Sequence, residues 1–558
     1  MRPVPRFKHA PAFLICLAVA ILYGGLAAVD THLDDTQITL GTAALSASSG
    51  TLFPADPLFG ARTQAPIPGP AFVGALRLAL PLAGGDPVWP MRLLVGPLTL
   101  LYLLGMYGLL LRQCRSWTIA VFVAVLSSVV IETMGGATWG IGTLSSAGPA
   151  GVPLAATPLI VLGMLGTLER GRSAWHVLTI FLLVGLLGHF DLSWTLNMAL
   201  ILAATYLIRR RFTPSAWAAA LGGLLLAVAA ALPPLMQCLS ARLASSATWE
   251  NARTVYRMLR EGDHAMLYPQ AFRALPDWLA WAAPLAIVTT VTLWQVDRFR
   301  VPQGAFWAAF AGATVAVAVA FQWISHAIGH VSHTVPPLVG FVQAASLLML
   351  PMYALFAQAV TSLFRLTVGH HTLMRTACAL AAAAWLIPSD NLAPARHAAY
   401  LTTSVLLSEE NQPRRLRRLE EQAGHYAEIQ AVAAWARSHT SADAVFLSDQ
   451  SLFRLLSRRT IVAGDRDRAF LTCGSPTRQA DWFTRLRQQA ELLRPAAGKT
   501  DPAAIGQFVG EMSSRPPFSS GSAWYVVLPA SAAPEATAIL TEETSPDWGL
   551  FVRLYRVK

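Results

Sequence analysis

The chain has 558 residues, of which 54% are hydrophobic and only 13% are Asp, Glu, Lys or Arg; its mean hydropathy is +0.46. Soluble domains carry about 25% charged residues, so this composition excludes a single soluble globular domain and excludes intrinsic disorder. The net charge of +11 is almost all arginine, because Lys8, Lys499 and Lys558 are the only lysines; arginines clustered between apolar runs are topology signals, and no nucleic-acid partner is expected.

The charge is uneven: residues 391–558 carry about as many charged side chains as the 390 residues before them. The shift divides a transmembrane domain, 1–390, with a large first outer loop over 30–90, from a soluble extracytoplasmic α/β domain, 391–558. The first apolar run, Pro11 to Val29, is long enough to span a bilayer. Arg2, Arg6 and Lys8 precede it and place the N-terminus inside. An uncleaved helix is favoured over a signal peptide, because the run is long and Leu26-Ala27-Ala28 makes a poor cleavage site. The run 71–83, with Arg77 and flanking prolines, predicts a helix lying on the outer surface.

Further spans are predicted over 91–111, 117–131, 150–168, 174–188, 194–208, 214–236, 277–295, 305–325, 336–361 and 372–388. The fold class is thus a polytopic α-helical membrane protein of about eleven spans, N-terminus inside and C-terminus outside. The loops assigned inside, around Arg112, Arg170, Arg210, Arg298 and Arg365, each hold at least two arginines. The short loops assigned outside hold no Arg or Lys. In the tail, a helix is predicted over 414–438, with Ile429, Val432, Ala433 and Trp435 on one face, and another over 478–494. Strands are predicted over 444–447, 460–462, 524–528 and 550–555, giving a small sheet with helices packed on it.

Ionisable residues are nearly missing from the spans, which argues against an ion-coupled transporter. They gather in the predicted outer loops instead. Asp34-Asp35, just after the first span, suit a general base or a cation site, or one of them caps the next helix. His326 and His330, spaced i,i+4, share a helical face and with His333 suit a metal site, or are polar surface. Arg253, Arg257 and Arg260 also share a face, for phosphate or for lipid headgroups. The five cysteines show no CxxC spacing; only Cys238 and Cys473 could face an oxidising compartment, where a disulfide is open to them.

The order of parts resembles the GT-C-type polytopic membrane glycosyltransferases, closest to a bacterial branch of that superfamily. The residues that carry the resemblance are Asp34-Asp35 after the first span and Leu52-Phe53-Pro54-Ala55-Asp56-Pro57-Leu58-Phe59. In the tail they are Trp435-Ala436-Arg437, Ala444-Val445-Phe446-Leu447, Phe453 to Arg459 and Asp481-Trp482-Phe483-Thr484-Arg485. The resemblance implies transfer of a sugar from a polyprenyl-phosphate-linked donor to a glycan, lipid or protein acceptor at the outer face of the bacterial inner membrane. It implies Asp34 or Asp35 as catalytic base, and His32, Asp56, Arg62, Arg92, Glu132, His189, Asp191, Arg253, Arg257 and Arg260 as substrate-binding residues. No second acidic motif follows the third or fourth span, and Glu132 is the nearest substitute, so a metal-independent transfer is expected. No cofactor is expected, a divalent cation being the alternative. The two tail clusters either bind acceptor or sugar or hold the tail together, with Asp481 paired to an arginine and Trp482 in its core. The competing readings are a lipid or glycan transporter or flippase, and a non-catalytic envelope assembly protein.

Overall fold

The computed structural model describes the chain from residue 9 onward, except 31–32, 61–68, 133–137, 141–146, 172, 244–249, 251–253, 255–267, 298–300, 332–339, 367–370, 407–413, 449, 468–475, 496–497, 519–520 and 536. The helices before the tail are α1 (Ala10–Val29), α2 (Asp35–Ser48), α3 (Pro70–Ala79), α4 (Val88–Cys114), α5 (Trp117–Ser127), α6 (Gly151–Arg170), α7 (Ala174–Leu187), α8 (Leu192–Arg209), α9 (Pro214–Ala230), α10 (Leu232–Leu243), α11 (Tyr268–Thr292), α12 (Gly304–Ala316), α13 (Gln322–Val331), α14 (Met349–Leu366), α15 (His371–Leu386) and α16 (Ala393–Leu406). A short hairpin, β1 (Ile131–Glu132) with β2 (Thr138–Trp139), follows α5.

Among the described residues, six helices are long and apolar enough to cross a membrane, and seven if the bent pair α9 and α10, broken by 65°, counts as one span. They are α1, α4, α6, α8, and the continuous stretches Gly304–Ser325 and Phe341–Leu366. α5 and α7 are apolar but shorter, so the eleven-span arrangement and its orientation stay expectations of the sequence. Small residues let the helices approach closely where lipid gives no hydrophobic drive. A Cβ at Gly24 of α1 would lie 3.0 Å from the Gly96 Cα of α4. One at Gly185 of α7 would lie 2.4 Å from the Ala227 carbonyl of α9.

The loop ends sort into two groups. At one end Arg112 pairs with Glu169 at 3.4 Å, Gln303 donates to Glu169 at 2.6 Å, and Gln113 donates to the Pro302 carbonyl. At the other, the Ala71 N–H donates to the His189 carbonyl, and His189 Nε2 lies 3.0 Å from the Ala230 carbonyl. The first group joins loops that the arginine pattern assigns inside; in the second, Ala71 and His189 fall in stretches it assigns outside, and Ala230 falls in the predicted span 214–236.

The tail holds α17 (Arg414–His439), β3 (Val445–Leu447), α18 (Ser451–Ser457), β4 (Thr460–Ile461), α19 (Pro476–Leu493), α20 (Pro502–Ser513), β5 (Trp524–Pro529), β6 (Leu540–Glu543) and β7 (Val552–Val557). Its sheet runs β4-β3-β5-β7-β6, with β3 parallel to β4 and β5, and β7 antiparallel to β5 and β6. Alternation along the strands sends side chains to opposite faces. Phe446, Tyr525, Val527 and Leu554 meet Ile429, Val432, Ala433 and Ala436 of α17. Val445, Leu447 and Val526 meet Ile505, Phe508 and Met512 of α20.

The first loop, between α1 and α4, and the tail share one core. Ile38, Phe53, Phe59, Phe72 and Leu76 from the loop pack with Leu455 of α18 and Trp482 of α19. Burying such side chains is worth about 1.5–3 kcal/mol each relative to exposure, so the tail is built onto the loop and is not a module on a tether.

Candidate active site

The chain opens this region at Asp30, which ends α1. Asp34 then starts α2: its side chain accepts from the Gln37 N–H at 2.7 Å, and the Gln37 side chain accepts from the Asp34 N–H, a capping box. This reciprocal arrangement satisfies two donors that the helix cannot pair itself. Asp35, one residue on, occupies the first turn and turns outward. Its carboxylate meets Arg466 of the tail at 2.7 Å, with 62% of the Asp35 side chain and 47% of the Arg466 side chain exposed. Arg466 also contacts Asp465 at 3.0 Å. Ion pairs this exposed are worth at most about 1 kcal/mol and open easily. The pair of neighbours therefore divides its work: Asp34 organises α2, and Asp35 offers a carboxylate to solvent.

Asp56 has gone the other way. It is fully buried, with one oxygen accepting from the Leu58 and Phe59 N–H groups at 2.9 and 3.1 Å. Its other oxygen lies 2.9 Å from Arg454 Nε. Arg454, also buried, holds Asp467 through both terminal nitrogens and lies 5.0 Å over the Phe59 ring. Burial works against the Arg454 charge, but Asp467 and Asp56 outweigh it and hold the guanidinium above its ordinary value. Burial pushes the Asp56 carboxyl up against the pull of Arg454. Arg485 of α19 is a second cation near this cluster; burial lowers it, and Asp481, Asp56 and Asp467 oppose that. Asp56, expected at a substrate, is thus engaged inside the protein, where it ties the first loop to the tail.

A cleft of about 460 Å³ opens beside this lock. Leu33 and Leu45 line one side, Gly84 to Val88 and Arg92 a second, and Tyr426, Gln430, Arg437, Leu455, Leu456 and Arg458 the tail side. Arg92 comes from the start of α4. Arg458 follows the end of α18 in the left-handed region (φ 55°), so its side chain leaves the face that carries Arg454 and donates to the Gly85 carbonyl at 3.0 Å. Burial and the like charge of Arg437 lower the Arg458 guanidinium, and Asp86 partly restores it. Burial raises the Tyr426 phenol, on which Arg92 and Asp30 act in opposite senses. Three guanidiniums around one cleft, two of them repelling, make a place that an anion would stabilise.

The other expected residues fall elsewhere. Asp191 caps α8 by accepting from the Trp194 N–H at 3.0 Å, and His189 braces α7 against the end of α9. Glu132 sits in β1, and its side chain is outside the described residues. His32, Arg62, Arg253, Arg257, Arg260, His333 and Cys473 also lie outside them. His326 and His330 are a turn apart on α13, with side chains outside the described residues. Cys238 is buried. Among the described residues, no three His, Cys, Asp or Glu side chains are grouped to hold a metal. Trp482 is buried and donates to the Gly464 carbonyl at 3.0 Å, which ties α19 to the Asp465–Asp467 turn. Sequence reasoning passed over Asp86, Tyr426 and Gln430, and it quoted Arg437 and Arg458 only as tail motifs.

No family model and no curated protein matches the chain. Among solved structures, the oligosaccharyltransferase of Archaeoglobus fulgidus, crystallised tethered to an acceptor peptide containing the NVT sequon, is similar over 94% of this chain and 69% of its own. That enzyme is of the GT-C kind. The TM-score is 0.42 and the identity 12%, so the likeness transfers no residue role.

Proposed function

We propose that the protein is a membrane glycosyltransferase that takes a sugar from a lipid-phosphate-linked donor at the outer face of the membrane. The observation that carries the reading is the cleft at the joint of outer loop and tail, lined by Arg92, Arg437 and Arg458 and bordered by Leu33, two residues before Asp35. The donor phosphate rests among the three guanidiniums, and its lipid tail leaves along α4, a candidate span. Asp35 accepts the proton of the acceptor hydroxyl. The freed oxygen attacks the anomeric carbon, the carbon–oxygen bond to the phosphate breaks, and the phosphate takes the electron pair. The arginines stabilise that developing charge, as donors already aimed at it do. Asp34 holds the start of α2 in place, and no step needs a metal.

Replacement of Asp35 by Asn in the full chain is expected to lower transfer about a thousandfold while leaving expression and thermal unfolding unchanged. Asp30 is the competing carboxylate, because it acts on Tyr426 inside the cleft. Unchanged transfer in Asp35→Asn, with loss in Asp30→Asn, would move the base to Asp30. Unchanged transfer in both would remove the mechanism.

A further inference from the structure

The opposite end of α8 carries a second basic cavity, about 27 Å from Asp191 at 1.5 Å per residue. The turn between α8 and α9 reads Arg209-Arg210-Arg211-Phe212-Thr213 and borders an open cavity of about 450 Å³ lined by the three arginines, Tyr206, Thr213, Ser215 and Ala216. Among the described residues, no carboxylate lines it. Arg211 and Phe212 are consecutive residues in the left-handed region, at φ 52° and 56°. Two non-glycine residues held so cost free energy that the surroundings must repay, and such strain concentrates at functional sites. Arg210 lies 5.9 Å over the Tyr206 ring, and its Nε is buried with no hydrogen-bond partner among the described residues. Thr213 precedes α9 without capping it; its hydroxyl is 3.3 Å from that of Ser215. The first turn of α9 therefore presents its N–H groups with no side-chain cap, on the lip of a cavity ringed by guanidinium groups.

A loop that only sets topology needs positive charge; it needs no cavity, no strained turn and no buried unpartnered guanidinium nitrogen. We infer that this cavity binds a phosphate oxyanion, received by the Arg210 fork, its neighbouring arginines and the start of α9. The source is an anionic phospholipid headgroup. α8 and α9 are apolar, so the turn lies at the level where spans end. Phe212 and Trp217, 55% and 44% exposed, stand with ring centroids 6.2 Å apart beside the cavity. Exposed aromatic pairs at span ends belong in the headgroup region.

The test uses the purified full chain in nanodiscs, with retained lipid read by native mass spectrometry. Phosphatidylglycerol and phosphatidylcholine are offered together, and inorganic phosphate is added as competitor. The wild type is expected to retain phosphatidylglycerol at least tenfold over phosphatidylcholine. Arg210→Gln should lose about fivefold of that preference, the usual worth of one arginine near an anionic surface. Arg210→Lys keeps the charge and the topology signal but not the fork, and should lose a substantial part. Displacement of the lipid by millimolar inorganic phosphate would keep the oxyanion site and overturn its lipid source. Equal retention of the two lipids by the wild type, or full preference in both Arg210 variants, would overturn the site.

Discussion

Arg454 and Arg458 are one turn apart at the end of a single short helix, and their surroundings are opposite. Arg454 is buried between Asp56 and Asp467, its charge matched from both sides. Arg458 lies past the helix end, half-exposed in a cleft with Arg437 near it and Asp86 partly offsetting the repulsion. The first arginine is compensated and holds two parts of the chain together. The second faces a like charge across the cleft and is matched in part. A basic residue in this fold is therefore read from what opposes it, and the left-handed turn at Arg458 is what separates the two surroundings.

The largest test of this contrast is Arg454→Ala. It leaves two buried carboxylates facing each other and should destabilise the full chain by about 3–5 kcal/mol in denaturant titration. A cost under about 1 kcal/mol would mean that the joint rests on its apolar core alone. Glu428 gives a second measure of the tail. Burial opposes its charge, but the N–H groups of Gly549, Leu550, Phe551 and Val552 outweigh that and hold its carboxyl below the ordinary range. Its stabilisation is therefore complete above the unfolded value of about 4.3 and lost as pH falls through the folded value. Glu428→Gln should cost about 1–3 kcal/mol at neutral pH and progressively less in acid; an equal cost at both would show that ionisation is irrelevant there.

On the cleft side the expected effects are smaller and appear in binding. Arg458→Gln and Arg437→Gln should each weaken donor binding about tenfold, while changing stability by no more than about 0.5 kcal/mol. Loss of fold without loss of binding would reverse the two roles. The smallest effect belongs to Asp34→Ala, about 1 kcal/mol of stability from the lost capping box. A collapse of transfer in that variant with normal transfer in Asp35→Asn would exchange their assignments.

The apolar periodicity and the arginine-bearing loops made the first helix, many of the other helices and the tail's mixed sheet legible in advance. The tail helix predicted over 414–438 is observed at Arg414–His439, and the strand predicted over 524–528 at Trp524–Pro529. α2 was hidden because its Thr, Ser and Gly residues weaken an apolar pattern. β6, Leu-Thr-Glu-Glu, is an edge strand with its acidic residues partly exposed, and it gives little alternation to read. The acidic pair was visible, but that Asp34 caps α2 while Asp35 turns to Arg466 was not. Which carboxylate caps depends on the residue where α2 begins. Asp56 looked like a ligand because its partner, Arg454, lies some 400 residues away in sequence. Arg437 and Arg458 stood in quoted motifs without a role, because the cleft exists only once the tail packs on the first loop.

A structure of the full chain determined with a polyprenyl monophosphate bears most directly on the central claim. The phosphorus is expected among the guanidiniums of Arg92, Arg437 and Arg458, with the lipid chain running along α4 and Asp35 open to the acceptor side. Phosphate bound elsewhere, with this cleft empty, would contradict the account.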